Sequence, residues 1–189
     1  MQAYARVLGI IFGVLMILLS FAVTAETLLR KIFSVSLGGI DELSGYAIAV
    51  AAPLAFTVAL VHKSHIRINQ VAKLLPRSAQ AVLDVLAILS LAVLSGYFFF
   101  FTVQTVMDTR AYQTIAQTPW ATPLIYPQVV WLVASATFPI AALVLAVQAL
   151  RFLTRRDWTA ISRRFGTISA DEELQAELDD IKKREGVAS

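Results

Sequence analysis

The sequence lacks cysteine and contains little charge. Without cysteine, the chain has no disulfides, no thiolate nucleophile and no cysteine ligands for an iron–sulfur cluster. Only 15% of its 189 residues are charged and 58% are hydrophobic, which is typical of a chain embedded in lipid. The net charge is +3, and Lys and Arg lie in loops and the C-terminal tail rather than in a stripe with aromatics, which argues against nucleic acid as a partner.

Histidine is also scarce, and its placement excludes several kinds of site. His62 and His65 lie beside one predicted membrane face, so they do not supply haem ligands from two different helices. They have no nearby acids or thiols to complete a metal site. The chain also has no glycine-rich phosphate loop and no visible set of nucleophile, base and orienting acid. We therefore predict that this chain has no catalytic residue, cofactor or metal.

Four stretches without charge determine the predicted fold class. They cover residues 7–25, 43–61, 85–107 and 111–150, and about 20 apolar residues suffice for a helix to cross hydrocarbon. Helices are favoured over a barrel because the apolar runs do not alternate with polar residues. We predict an all-α membrane protein with transmembrane helices at about residues 5–30, 42–62, 79–108 and 127–151, the last beginning at Pro127. Residues 1–153 form this domain and residues 154–189 form a tail.

The distribution of Lys and Arg predicts the orientation of the helices. Cytoplasmic loops carry an excess of these residues, so both termini are predicted to be cytoplasmic and the first and third loops to face outward from a bacterial inner membrane. One side carries Arg6, Lys63, Arg67, Lys73, Arg77, Arg151, Arg155, Arg156, Arg163 and Arg164, and the other carries Arg30, Lys31 and Arg110. Val23 and Ala25 would suit a signal-peptidase site, but the apolar stretch is longer than the usual signal core.

Two amphipathic segments are predicted on the cytoplasmic surface. In the second loop, Ile68, Val71 and Leu74 recur at helical spacing among basic residues. After the fourth helix, Trp158 and Phe165 belong to a similar pattern, in which arginines would attract anionic headgroups. Phospholipids are therefore expected partners of both segments.

The predicted spans contain no ionised side chain. Charge within a membrane is costly and is normally kept for function, whereas the acids here lie at predicted helix ends. A proton-coupled exporter is therefore disfavoured, although Glu26 would qualify if the first helix were shifted. By this argument, any solute that crosses the bilayer is handled by another protein.

Four short motifs occur in register with these helices. Arg30 ends the first helix, residues 41–44 (Asp-Glu-Leu-Ser) open the second, residues 65–68 (His-Ile-Arg-Ile) follow it, and Thr122-Pro123 with Pro127 precede the fourth. Together they resemble the DctQ-like small membrane subunit of tripartite ATP-independent periplasmic (TRAP) transporters. The resemblance covers about residues 5–153 and leaves the tail outside.

The resemblance implies a non-catalytic scaffold subunit of a sodium-coupled transporter. Such a subunit pairs with a large membrane subunit that holds the sodium and substrate sites, while a periplasmic solute-binding protein delivers the solute, usually an organic acid. Two departures from the family pattern are visible. Asn69 stands where an acid often follows the His-Ile-Arg motif, and residues 38–40 (Gly-Gly-Ile) stand where an aromatic often precedes the acid of the second helix.

The matched residues are candidates for interfaces, and each also has a simpler interpretation. Asp41 and Glu42 lie in the first turn of the second helix, where negative charge favours the helix dipole. A sharper hypothesis pairs Glu42 with Arg30 across the first outer hairpin. Glu26 and Arg30, four residues apart, are predicted to form a pair that prolongs the first helix.

The other interface candidates lie in the loops and on the second helix. His65 and Arg67 would contact lipid phosphate or the large subunit. Trp120, Pro123, Tyr126 and Pro127 would shape the third loop, whose aromatics suit the membrane interface or a docking binding protein. A stripe of small residues suits close helix packing, either within the chain or against the large subunit. The stripe consists of Ala47, Ala51, Ala55 and Ala59.

The residues alone leave other functions open. A four-helix membrane protein without a site of its own also fits a membrane anchor or assembly subunit of another inner-membrane complex. A small homo-oligomeric exporter, with a pore between copies, is the third possibility. Co-purification with a transporter-like subunit, with a redox enzyme or with copies of itself alone would distinguish the three.

Overall fold

The structure is a computed structural model that describes residues 1–62, 75–155 and 178. Its described part is helical, with helices α1 (Gln2–Leu28), α2 (Ile40–His62), α3 (Arg77–Tyr112) and α4 (Ile125–Thr154). Each of the four is long and apolar enough to cross a membrane. The predicted all-α fold with four membrane-spanning helices is thereby confirmed.

Helices α1, α3 and α4 extend beyond their predicted ends. α1 is continued by one π-helical turn, Leu29–Phe33, which ends at Ser34 in the left-handed conformation. α3 continues to Tyr112 and ends at Gln113, also left-handed. α4 begins at Ile125, before the predicted start at Pro127, because proline in a first turn costs no helical hydrogen bond.

The helices lie side by side in the spatial order α1, α2, α4, α3. α2 packs against α1 and α4, and α4 also packs against α3. α4 therefore contacts two neighbouring helices, and its buried residues are all alanines: Ala134, Ala141, Ala142, Ala146 and Ala149. Small side chains let helix backbones approach closely where lipid supplies no hydrophobic driving force.

Hydroxyl groups connect α1, α2 and α4 within this array. Thr57 of α2 is fully buried, and its hydroxyl lies 2.9 Å from that of Thr137 on α4. Thr57 also lies within 2.7 Å of the carbonyl of Pro53, and the hydroxyl of Tyr4 on α1 donates to the carbonyl of Thr137 at 3.2 Å. These bonds pair the hydroxyls of Tyr4 and Thr57 inside the helix array, in the part of α2 and α4 that contains Pro53 and Pro139.

The array leaves much apolar surface uncovered, most of all on α1. Only 6% of the most apolar window of α1 is buried, against 22% in each of the other three helices. Its exposed side chains include Ile10, Ile17 and Phe21. In a membrane protein such a surface faces lipid or a partner.

The two predicted amphipathic segments lie outside the described residues. They occupy residues 63–74 and the chain after residue 155. The predicted orientation of the termini is likewise an expectation of sequence, and it enters the functional proposal below.

Candidate functional site at the loop end of the helices

The α1–α2 loop (residues 34–39) and the α3–α4 loop (residues 113–124) meet at one end of the array, which we call the loop end. A Cβ built on Gly38 would lie 4.0 Å from the Cβ of Pro119, so the two backbones run close together. Most of the described interface candidates lie here: Arg30, Asp41, Glu42, Trp120, Pro123, Tyr126 and Pro127.

Glu26 organises the α1–α2 loop. Its carboxylate is almost fully buried, and Oε1 accepts hydrogen bonds from Arg30 Nη2 at 2.8 Å and from Ser36 Oγ at 2.6 Å. The backbone amide of Leu37 donates to Oε2 at 2.9 Å. The predicted Glu26–Arg30 pair is confirmed, and the structure adds that the same carboxylate ties the loop back onto the helix.

Glu42 performs a similar role for the α3–α4 loop. It is buried in the first turn of α2, where the Tyr46 hydroxyl donates to Oε1 at 2.6 Å and the Thr118 hydroxyl donates to Oε2. Its neighbour Asp41 is exposed. The two acids therefore differ in role: only Glu42 bonds to the distant loop.

The hypothesis that Arg30 pairs with Glu42 is wrong for this structure. Arg30 bonds to Glu26 and, at 3.3 Å, to Ser36, while Glu42 is occupied by Tyr46 and Thr118. The reason is local geometry. An acid one helical turn before Arg30 is already within reach, and hydroxyls satisfy Glu42 without a cation.

Trp120 lies directly over Gly39. Gly39 is buried, and a Cβ built there would overlap the indole ring of Trp120. The carbonyl of Gly39 accepts the Leu43 amide at 3.0 Å, so the ring covers the beginning of α2. An aromatic ring thus lies against the start of α2 even though residues 38–40 contain none.

The α3–α4 loop has internal structure of its own. Its two arms are joined by bonds from the Ala116 amide to the Thr122 carbonyl at 2.9 Å and from the Leu124 amide to the Thr114 carbonyl at 3.0 Å. Pro123 lies opposite Ile115 in an isolated β-bridge. Ala121 is left-handed, with φ of 48°, which is uncommon for a residue with a side chain. The loop is a folded arch rather than an open connection.

Aromatic side chains remain exposed around this arch. Trp120 is half exposed although it covers Gly39, and Tyr112 and Tyr126 are more exposed still. Pro127 lies in the first turn of α4, just after Tyr126. These rings are placed to meet a membrane interface or another protein.

The alanine stripe of α2 is used at least in part within the chain. Ala51 is buried, whereas Ala47, Ala55 and Ala59 are partly covered. The main buried face of α2 is displaced from the stripe and includes Leu54, Thr57 and Leu60. The position of Ala51 therefore serves internal packing.

Two predicted interface residues cannot be placed in this site, and four residues of the site were not predicted. His65 and Arg67 lie outside the described residues. Sequence reasoning did not single out Gly39, Ser36, Tyr46 or Thr118. Tyr46, four residues after Glu42 on one helix face, could have been recognised from spacing, but no local signal pairs Thr118 with Glu42 or Trp120 with Gly39.

Hydrogen bonds hold the two loops at the loop end in fixed positions. Two carboxylates are satisfied by donors from adjoining segments, and aromatic rings are left on the outside. Within residues 1–62 and 75–155, no group of three or more potential metal-ligating side chains comes together.

Comparison with known proteins identifies a family that covers most of the helical region. The family described as "Tripartite ATP-independent periplasmic transporters, DctQ component" matches residues 19–152, from within α1 almost to the end of α4. No curated protein matches the chain.

Proposed function

The chain belongs to the DctQ family of TRAP transporter components, and from this premise we propose that it is the small, non-catalytic permease subunit of a sodium-coupled importer of an organic acid. The observation that carries the proposal is the family match itself, because it extends from within α1 almost to the end of α4. Members of this family work with a large membrane subunit and a periplasmic binding protein. The sodium and substrate sites are assigned to that large subunit rather than to this chain.

The apolar surface of the chain supports a scaffold role. A subunit that carries no solute has no need of charge between its helices, and the buried residues there are alanines, larger aliphatic residues such as Leu54 and Val85, and neutral hydroxyl residues such as Thr57. The exposed face of α1 is broad enough to serve a partner helix as well as lipid. Packing in lipid can supply such an association without ion pairs.

The orientation of the chain belongs to the same proposal. With both termini in the cytoplasm, as the Lys and Arg distribution predicts, the loop end faces the periplasm. The exposed Trp120 and Tyr126 are then on the side from which a binding protein would arrive. Aromatic residues of this kind are enriched at protein interfaces.

Removal of this chain tests the proposal. Vesicles that contain the large subunit and receive the binding protein with a sodium gradient should take up the solute only when this chain is present. We expect uptake to fall to background without it and to return when the purified chain is added back.

Two outcomes would contradict the proposed function. One is undiminished uptake in vesicles that lack the chain. The other is solute movement by purified copies of this chain alone in liposomes, which would indicate a homo-oligomeric exporter. Co-purification with a redox enzyme instead of a large transporter subunit would favour the anchor role.

A further inference from the structure

The contacts between the two loops give Glu42 and Trp120 a structural role beyond that of interface candidates. Three adjoining contacts connect the α3–α4 loop to the start of α2: Pro119 beside Gly38, Trp120 over Gly39, and the Thr118 hydroxyl on the Glu42 carboxylate. α3 itself packs chiefly on α4 rather than on α2. The loop therefore reaches back over the beginning of a helix on which its own preceding helix does not chiefly pack.

We propose that Glu42 and Trp120 are positioning residues that clamp the α3–α4 loop onto the first turn of α2. The clamp makes the two loops one body at the loop end and so fixes where the exposed rings of that loop are presented to a binding protein. The second half of this statement rests on the proposed function. The clamp itself does not.

Glycine at position 39 is the steric half of the clamp. Any larger residue would bring its Cβ into the indole ring, so that the ring, or the loop that carries it, has to move. The Glu42 carboxylate is the polar half, because it is buried and accepts hydrogen bonds from Tyr46 of its own helix and from Thr118 and Thr122 of the loop. Loss of the Thr118 hydroxyl as a donor would weaken that anchor.

The conformation of the loop is consistent with an imposed position. Ala121, directly after Trp120, adopts a left-handed conformation that costs free energy for a residue with a Cβ, and its amide bonds to the Thr118 carbonyl at 2.9 Å. This turn, residues 118–121, contains both Thr118 and Trp120, the residues that contact Glu42 and Gly39. A conformation of this kind persists where surrounding contacts hold it.

Hydrogen exchange on the full chain in lipid nanodiscs tests the clamp directly. The reporters are the amides of Ala116, Ala121 and Leu124, which the loop's own bonds protect. Overpacking against Trp120 in Gly39→Ala should speed their exchange about fivefold or more. Gly45→Ala is the matched control on α2, since a Cβ there meets nothing within 4 Å, and exchange should be unchanged.

A second pair of variants distinguishes the hydrogen bonds of the Glu42 carboxylate from the effect of negative charge at the start of α2. Glu42→Gln should also speed loop exchange, whereas Asp41→Asn should not, although both remove one negative charge from the first turn of α2. Thr118→Val serves if Gly39→Ala does not fold, because it removes the hydroxyl donor at nearly constant volume. In a Trp120→Ala background, Gly39→Ala should have little further effect, because the clash is gone.

The transport role is measured as the binding-protein concentration that gives half-maximal uptake. In complexes that still co-purify with the large subunit, this concentration should rise severalfold for Gly39→Ala and stay constant for Gly45→Ala.

Unchanged loop exchange in Gly39→Ala, Glu42→Gln and Thr118→Val would overturn the clamp. Faster exchange with an unchanged binding-protein requirement would overturn its positioning role. If wild-type uptake does not depend on this chain at all, the proposed function fails, and the exchange result still decides the clamp.

Discussion

The loop end and the interior of the helix array hold neighbouring segments together by different chemistry. At the loop end, the carboxylates of Glu26 and Glu42 accept hydrogen bonds from a guanidinium, a backbone amide and several hydroxyls. In the interior, the contacts are made by alanines, by aliphatic side chains such as Leu54 and Val85, and by the Thr57–Thr137 hydroxyl pair.

The difference follows from the solvent at each level. A carboxylate at a helix end can be hydrated during folding and needs only a few donors when buried, but a carboxylate between membrane-spanning segments is costly wherever its partners fail. Neutral hydroxyls and close backbone approach avoid that risk. The molecule therefore places strong, directional contacts in its loops and weak, numerous ones between its helices.

The largest effect is expected from filling the close helix contact in the interior. Ala81 of α3 is fully buried against Val85, Ala146 and Ala149, so Ala81→Leu should destabilise the fold by about 1–3 kcal/mol through overpacking. Ala87→Leu on the same helix is the control, since Ala87 is exposed and the change there should stay within about 0.5 kcal/mol. Unfolding of the purified chain in detergent measures both. Equal effects would show that the α3–α4 contact is not close-packed.

A smaller effect is expected from removing the interhelical hydroxyl bond. Thr57→Val keeps the shape of the side chain but loses the bond to Thr137, and should cost about 0.6–2 kcal/mol. Thr105→Val is the matched control, because the exposed Thr105 donates only to its own helix, to the Phe101 carbonyl at 2.9 Å. The same unfolding measurement applies. A loss no larger for Thr57 than for Thr105 would assign the α2–α4 contact to packing alone.

The smallest effect is expected at the end of α3 and has the opposite sign. Gln113 ends the helix with φ of 48°, a conformation that glycine adopts without strain, so Gln113→Gly should raise stability by less than about 1 kcal/mol. Gln117→Gly in the same loop should lower it, because Gln117 is not left-handed and glycine only adds freedom to the unfolded chain. Stabilisation by both changes, measured by thermal unfolding, would refute the strain argument.

Several features were predictable because they depend on neighbours along the chain. The four membrane-spanning helices follow from uncharged stretches of sufficient length, and the Glu26–Arg30 pair follows from a spacing of four on one helix. The family, too, was recognisable from short motifs in register with those helices. The helices and the ion pair depend only on residues close together in sequence and on the cost of charge in lipid, and the family depends only on short motifs.

Other features depend on which segments meet in space, and only the tertiary structure decided them. Uniformly apolar helices carry almost no information about their neighbours, because lipid and protein surfaces are equally apolar, so the spatial order α1, α2, α4, α3 was not predictable. The same holds for Glu42, for which the sequence offered the helix dipole and a hypothetical pair with Arg30, whereas it bonds to Thr118 across the loop end. Sequence determined that this chain has four uncharged stretches long enough for helices that can cross a membrane, whereas the contact of Trp120 with Gly39 depended on the return of a loop to a distant helix.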